Sequence, residues 1–229
     1  MARTDGWASE LKAIVFDLDN TLYDRDANVR VWLETIFAEN PELTEEAIAF
    51  DDCGFVPRTD FYEWILQRVD WAETAKDVKL RFQRDILRSI QPDPRINALV
   101  RQLAERFILG VLTNGEVDYQ LAKFRSLGIE DCFQPACVIA TDAIGIHKPD
   151  PGAFEAILAA TGVSPDRTLF VGDNPINDVA GASGVGMRTC WIQLRPEHQS
   201  PVEPDLRVRS ILELEEVFRE GLRAAETPD

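Results

Sequence analysis

Two aspartates one residue apart, Asp17 and Asp19, end the apolar run Ala13-Ile14-Val15-Phe16. Such a run reads as a buried strand, and a strand tip is where an open α/β sheet places its ligand crevice. Two carboxylates at one tip repel each other and lose hydration, so they need a positive partner, most simply a divalent cation. Taken alone, Asp17-Leu18-Asp19 serves equally well as a turn, because Asp starts turns readily. Three further strand ends bear on the choice. Phe107–Leu112 runs into Thr113-Asn114-Gly115. Cys137–Ala140 runs into Thr141-Asp142 and then a loop bearing His147-Lys148-Pro149-Asp150. Thr168–Val171 runs into Gly172-Asp173, with Asp178 shortly after. Parallel strands would bring all four tips to one edge of a sheet.

Each tip carries a separable chemical task. Thr113 offers a hydroxyl donor and Asn114 an amide donor, while Gly115 lets backbone N–H groups approach an anion. Lysine is scarce in this chain, at positions 12, 76, 79, 123 and 148 only. Lys148 is a point charge suited to a phosphate oxygen, and Pro149 restricts the loop that aims it. Asp173 can complete an oxygen-ligand set for Mg²⁺, and Asp178, about one turn into the next helix, can face back toward it. If Asp17, Asp19, Asp173 and Asp178 meet around the single Lys148, the site is strongly anionic. A cation is then required before a phosphate dianion can enter.

The elements that must position these residues follow from periodicity. The four apolar runs, and a fifth at Arg188–Ile192, alternate with helical patterns such as Tyr119–Leu127 and Pro151–Ala160, closed by Gly128 and Gly162. Alternation of this kind predicts βαβ units and a parallel sheet. A further helix is expected from Asp173 to Ala182, capped by Asn174, and a last one over Leu212–Leu222 before a frayed tail at Ala224–Asp229. About ninety residues separate Asp19 from Thr113, far beyond the roughly dozen that a crossover needs. They hold helical patterns at Val29–Glu39, Glu45–Asp51, Asp60–Val69 and Glu73–Ser89 and three of the five tryptophans, Trp32, Trp64 and Trp71. This segment is expected to be an α-helical insert, residues 23–91, with Tyr23–Asn28 as the outgoing hinge and Gln91–Pro94 as the return linker. Residues 1–22 and 92–229 then form the core. Between insert helices, Phe50–Asp60 breaks the pattern with Gly54 and Pro57, making it either the candidate specificity loop, with Arg58 a candidate contact to a second anionic group, or a surface connection that never meets substrate.

Composition bounds the partners. With 45% hydrophobic and 28% charged residues, the chain reads as an ordinary globular protein. A net charge of −16 argues against nucleic acid or an anionic membrane as partner. The opening residues Met1–Trp7 lack a signal-peptide apolar region, no run approaches a membrane span, and the four cysteines show no C-x-x-C spacing. A cytoplasmic location is the expectation, with monomer or homodimer left open.

In their order and spacing these motifs resemble the haloacid dehalogenase (HAD) superfamily, in particular its phosphohydrolases. The D-x-D-x-[TV] motif matches Asp17-Leu18-Asp19-Asn20-Thr21, the second-motif Thr matches Thr113, the lysine matches Lys148, and G-D-x-x-x-x-D matches Gly172-Asp173 and Asp178. The resemblance spans about Ala13–Ile192. It implies a three-layer Rossmann-like α/β core with an inserted helical C1-type cap. It also implies a Mg²⁺-dependent hydrolase of small phosphomonoesters, nucleotide- or sugar-phosphate-like, working through an aspartyl-phosphate. In that scheme Asp17 is the nucleophile and Asp19 the acid/base. The Asp17 and Asp173 carboxylates and the Asp19 carbonyl hold the metal, with Asp178 in or behind that set. Thr113, Asn114 and Lys148 bind the phosphoryl group, and Thr21 braces the Asp17 loop. A phosphomutase shares this core. A 2-haloacid dehalogenase would use Asp17 but leave Asp19, Asp173 and Asp178 without a task, and a non-catalytic scaffold would be expected to lose Asp17 or Asp19.

Overall fold

The computed structural model describes residues 6–218. In chain order its main elements are β1 (Ala13–Phe16), α1 (Arg25–Ile36), α2 (Pro41–Asp51), α3 (Arg58–Leu66), α4 (Ala75–Ser89), α5 (Pro94–Ala104), β2 (Ile108–Thr113) and α6 (Val117–Ser126). There follow β3 (Val138–Ala140), α7 (Pro151–Thr161), β4 (Thr168–Gly172), a π turn (Pro175–Ala180), α8 (Gly181–Gly184), β5 (Arg188–Ile192), β6 (Leu206–Val208) and α9 (Leu214–Val217). The chain divides into two compact units, one running through Tyr23 and resuming at Pro92, the other Asp24–Gln91.

The first unit is built on a six-stranded sheet in the order β3-β2-β1-β4-β5-β6, with every pairing parallel. A parallel sheet needs helices on both faces, which is why β1 is apolar along its whole length, β4 carries the apolar run Leu169-Phe170-Val171, and both strands are entirely buried. On one face Val15, Leu112 and Phe170 pack with Ala153, Phe154 and Ile157 of α7 and Ala182 of α8. The Phe154 and Phe170 rings meet edge-on at 5.3 Å. On the other face, reached by strand alternation, Phe16 meets Phe133, which in turn meets Phe124 of α6. The result is the three-layer α/β core. Burying a side chain such as Phe154 contributes about 1.5–3 kcal/mol each, and this packing holds the strand tips in register.

Several boundaries differ from the sequence reading. The strand β6 was not expected: three residues, Leu206-Arg207-Val208, carry too little periodicity to announce it. Helix α5 starts where Pro92-Asp93-Pro94 reads in sequence as a linker. In the fold Asp93 caps α5 by accepting from Arg95 N, and Pro94 takes its first turn. Helix α1 begins at Arg25, inside the expected hinge, with the Asp24 side chain accepting from Ala27 N. The irregular segment expected over Phe50–Asp60 is shorter, since Phe50 and Asp51 finish α2 and Arg58 opens α3. The expected last helix is, within the described residues, a 3₁₀ turn at Ile211–Glu213 and the short α9; its remainder and the Ala224–Asp229 tail lie outside them.

The second unit is helical, α1 to α4, around an aromatic centre. Trp32 meets Phe82 edge-on at 5.0 Å, and Phe61 lies 6.2 Å from Phe82. Helix α4 starts with a capping box between Thr74 and Asp77. At the end of α2, Asp51 is 3% exposed and accepts from Arg25 at 2.7 and 2.9 Å and from Arg58 at 2.7 Å. Burial pushes its pKa up, but the two guanidinium groups more than offset that and hold it at about 2. A folded-state pKa below the unfolded value gives stability that is present above about pH 4 and lost as pH falls through about 2. We therefore expect the unfolding free energy of wild type relative to Asp51→Asn to shrink by about 2–3 kcal/mol between pH 6 and pH 2, measured by urea denaturation at each pH. A constant difference would show that Asp51 is not held ionised.

Candidate active site

The parallel register brings the tips of β1, β2 and β4 to one edge, and the side chains there do meet. Asp17 leaves β1 with its N–H donating to Val171 O at 2.8 Å. Lys148 is buried, 4% exposed. Its Nζ donates to Asp17 Oδ1 at 2.6 Å and to Asp178 Oδ1 at 2.7 Å. Asp173 completes the cluster: Asp17, Asp173 and Asp178 each offer a carboxylate oxygen, all within 4.8 Å of one another and all buried.

Local sequence explains each placement. Asn174 caps the π turn, its Oδ1 accepting from Ile176 N and Asn177 N. The widened turn replaces the regular helix expected from Asp173 to Ala182, and Asp178 folds back over its start to accept from Asn174 N at 2.9 Å. Gly172 is required beneath it, because a Cβ there would lie 2.4 Å from Asp178 Oδ2. Asp173 is held by Trp191, whose Nε1 donates to its carbonyl, and by Asn20 Nδ2, 3.3 Å from its Oδ2. Asn20 sits at φ 58°, a left-handed conformation that Asn tolerates. Thr21 braces the loop through its main chain, N–H to Leu18 O, whereas its buried hydroxyl has no hydrogen-bond partner among the described residues.

The β2 tip differs from expectation in detail. Thr113 is buried and its Oγ1 accepts from Gln120 Nε2 at 2.8 Å, which leaves its own hydrogen to donate. The Asn114 amide, expected to reach a phosphate, is turned instead to the Lys148 main chain. It donates to Lys148 O and accepts from Lys148 N, both at 2.9 Å. A side-chain amide presents a donor and an acceptor side by side, which matches one peptide unit, so Asn114 clamps the lysine loop. Gly115 likewise donates to Thr141 Oγ1 at 3.3 Å, and the same oxygen lies 2.7 Å from His147 Nδ1. Arg58 lies in the helical unit, paired with Asp51 and with Val56 O.

The electrostatics follow from three buried carboxylates facing one ammonium. For Lys148, burial disfavours the charge, but Asp17 and Asp178 outweigh it and hold the group protonated well above its ordinary range. For Asp17, burial is the largest influence. Lys148 opposes it, Asp178 and Asp19 add to it, and the pKa rises to about 7. A carboxylate so placed lacks positive charge, and a buried all-oxygen donor set of three carboxylates is the chemistry that a hard divalent cation fits. The Asp19 carboxylate stands outside that set. It accepts from Lys123 Nζ at 2.6 Å on both oxygens, from Gln120 Nε2 at 3.2 Å, and from the Tyr23 hydroxyl. Lys123 and Gln120 were not foreseen; the one available signal was the scarcity of lysine, with Gln120 one turn before it.

Comparison with known proteins agrees with this architecture. Residues 11–186 match the haloacid dehalogenase-like hydrolase family. The chain is 40% identical to phosphoserine phosphatase of Thermus thermophilus over 185 residues, covering 80% of this chain and 72% of that protein. It is 30% identical to glyceraldehyde 3-phosphate phosphatase of Pyrococcus abyssi over 205 residues, covering 80% and 82%. It is also 33% identical to haloacetate dehalogenase H-2 of Moraxella sp. over 198 residues, covering 80% and 86%. In fold it is similar to the magnesium-bound HAD-hydrolase YfnB of Bacillus subtilis, with TM-score 0.76 and 20% identity over 91% of this chain and 98% of that one. This chain therefore belongs to the haloacid dehalogenase-like hydrolase family. Among the described residues, no helix is long and apolar enough to cross a membrane.

Proposed function

We propose that this chain, a phosphatase of that family, releases phosphate from small-molecule phosphomonoesters of the nucleotide- or sugar-phosphate kind. The observation that carries the reading is the buried Lys148 bridging Asp17 and Asp178 beside Asp173. Halide displacement at Asp17 would give Asp19, Asp173 and Asp178 no task. The names of two relatives, which act on a phosphoserine and a triose phosphate, support a small monoester.

In this reading Asp17 attacks phosphorus and the ester P–O bond breaks, leaving phosphate on the Asp17 carboxylate. Protonated Asp19 gives its proton to the departing alkoxide. Asp19 then removes a proton from water, the water oxygen attacks phosphorus, and the bond to Asp17 breaks to free phosphate. Lys148 and the Thr113 hydroxyl stabilise charge on the transferring oxygens, with Asn114 holding Lys148 in place. Mg²⁺ would be held by the Asp17 and Asp173 carboxylates and the Asp19 carbonyl, with Asp178 behind them. When bound, it offsets the negative charge of carboxylates and phosphoryl oxygens. The helical unit is assigned the part of a cap that selects the leaving group, with Arg58 its proposed anion contact.

The test is phosphate release from a broad panel of phosphomonoesters, with Mg²⁺ and with EDTA. We expect turnover of small monoesters that EDTA abolishes and Mg²⁺ restores. No release from any member of the panel, or release indifferent to EDTA, would overturn the reading. Isomerisation of a sugar phosphate without net release would establish the mutase instead.

A further inference from the structure

We infer that Lys123, with Gln120 and Tyr23, is the device that sets the direction of the Asp19 carboxylate, and thereby decides which leaving groups the enzyme expels efficiently. The inference rests on the assignment of Asp19 as the proton donor. The two buried lysines of this unit pair with different acids: Lys148 with Asp17 and Asp178, and Lys123 with Asp19. The Lys123 side chain is 4% exposed while that of Asp19 is 26% exposed, so the ammonium that grips the carboxylate is buried and the carboxylate itself is partly exposed. The ammonium lies 4.6 Å from the centre of the Tyr119 ring and 5.8 Å from that of Tyr23, which fixes it laterally. Positions 119, 120 and 123 fall on one face of α6, because residues three and four apart are neighbours on a helix.

Gln120 adds a second constraint. Its Nε2 reaches Asp19 Oδ2, Thr113 Oγ1 and Asn114 O together. One amide therefore ties the proton donor to the threonine proposed to bind the phosphoryl group. A proton donor works only within about 2.6–3.2 Å of the leaving oxygen. An Asp side chain has two free torsions, and without this grip it would sample directions that miss that oxygen. Lys123 is thus a positioning residue, acting through Asp19 in one bond-breaking step.

Loss of a correctly placed acid harms esters whose alcohol is a poor leaving group and spares those whose alcohol leaves unaided. We would measure kcat/KM for wild type, Lys123→Met and Lys123→Arg over a series running from p-nitrophenyl phosphate to alkyl phosphates. Asp17→Asn serves as the control. Lys123→Met is expected to lower alkyl-ester values on the order of 10²-fold and to leave p-nitrophenyl phosphate within a few-fold of wild type. Lys123→Arg should recover part of the loss. A uniform fall across the series, or none, would overturn the inference. Should Lys123→Met fail to fold, Tyr23→Phe must show the same tilt on a smaller scale, and a uniform response there would overturn it equally. Activity surviving in Asp17→Asn would instead strike at the parent mechanism.

Discussion

Asp17→Asn is expected to abolish turnover without weakening the fold. Removing a group that forms a covalent intermediate costs on the order of 10⁴–10⁶ in kcat, because the other residues act only through it. Asparagine keeps the shape of the side chain and an oxygen that still accepts from Lys148. It also removes one of three buried negative charges. Burial, with help from Asp178 and Asp19, raises the Asp17 pKa to about 7 against the pull of Lys148. A raised folded-state pKa makes the carboxylate's contribution to stability greatest below its unfolded value near 4 and smaller as pH rises through 7. In metal-free buffer at pH 8 the Asn variant should accordingly melt no lower than wild type. Phosphate release with Mg²⁺ and thermal melting with EDTA check both halves. A variant that is inactive because it is unfolded would not support the assignment.

Lys148→Met should fail in the opposite way, losing stability and activity together. The ammonium is the counter-charge that two buried carboxylates share at 2.6 and 2.7 Å. Methionine fills similar volume but leaves those charges unpaired in a buried place, and breaking a buried ion pair on one side costs about 3–5 kcal/mol. In the proposed mechanism Lys148 is also a charged donor to the transferring oxygens, and its loss should lower kcat on the order of 10²–10³-fold. Urea denaturation and steady-state rates on the same preparation measure the two effects. Unchanged stability would mean that the cluster does not need Lys148 as its counter-ion.

The contrast between these variants follows from positions that the sequence marks openly. Asp17, Lys148, Asp173 and Asp178 could be found because each follows an apolar strand or a proline-punctuated loop, where a polar residue stands out. Parallel pairing then forces the tips together. Less visible was the direction of side chains at those tips. Asn114 looks like a free donor in sequence, and only the path of the Lys148 loop turns its amide onto a peptide unit. Lys123 was hidden for a different reason. It lies mid-helix, with no punctuation nearby, and its partner Asp19 is 104 residues away in the chain. The same limit applies to β6, whose pairing with β5 supplies what three residues of pattern cannot, and to the π turn, whose extra width leaves no trace in periodicity.

The central claim, that Asp17 carries the phosphoryl group during hydrolysis, is tested most directly by rapid-quench trapping. Wild-type enzyme is mixed with Mg²⁺ and a phosphomonoester from the active panel, acid-quenched within one turnover, digested, and mapped by mass spectrometry. The account predicts a phosphate adduct on the peptide containing Asp17, sensitive to hydroxylamine as an acyl phosphate must be, and absent from Asp17→Asn. An adduct on another residue, or full turnover with no adduct at any quench time, would contradict it.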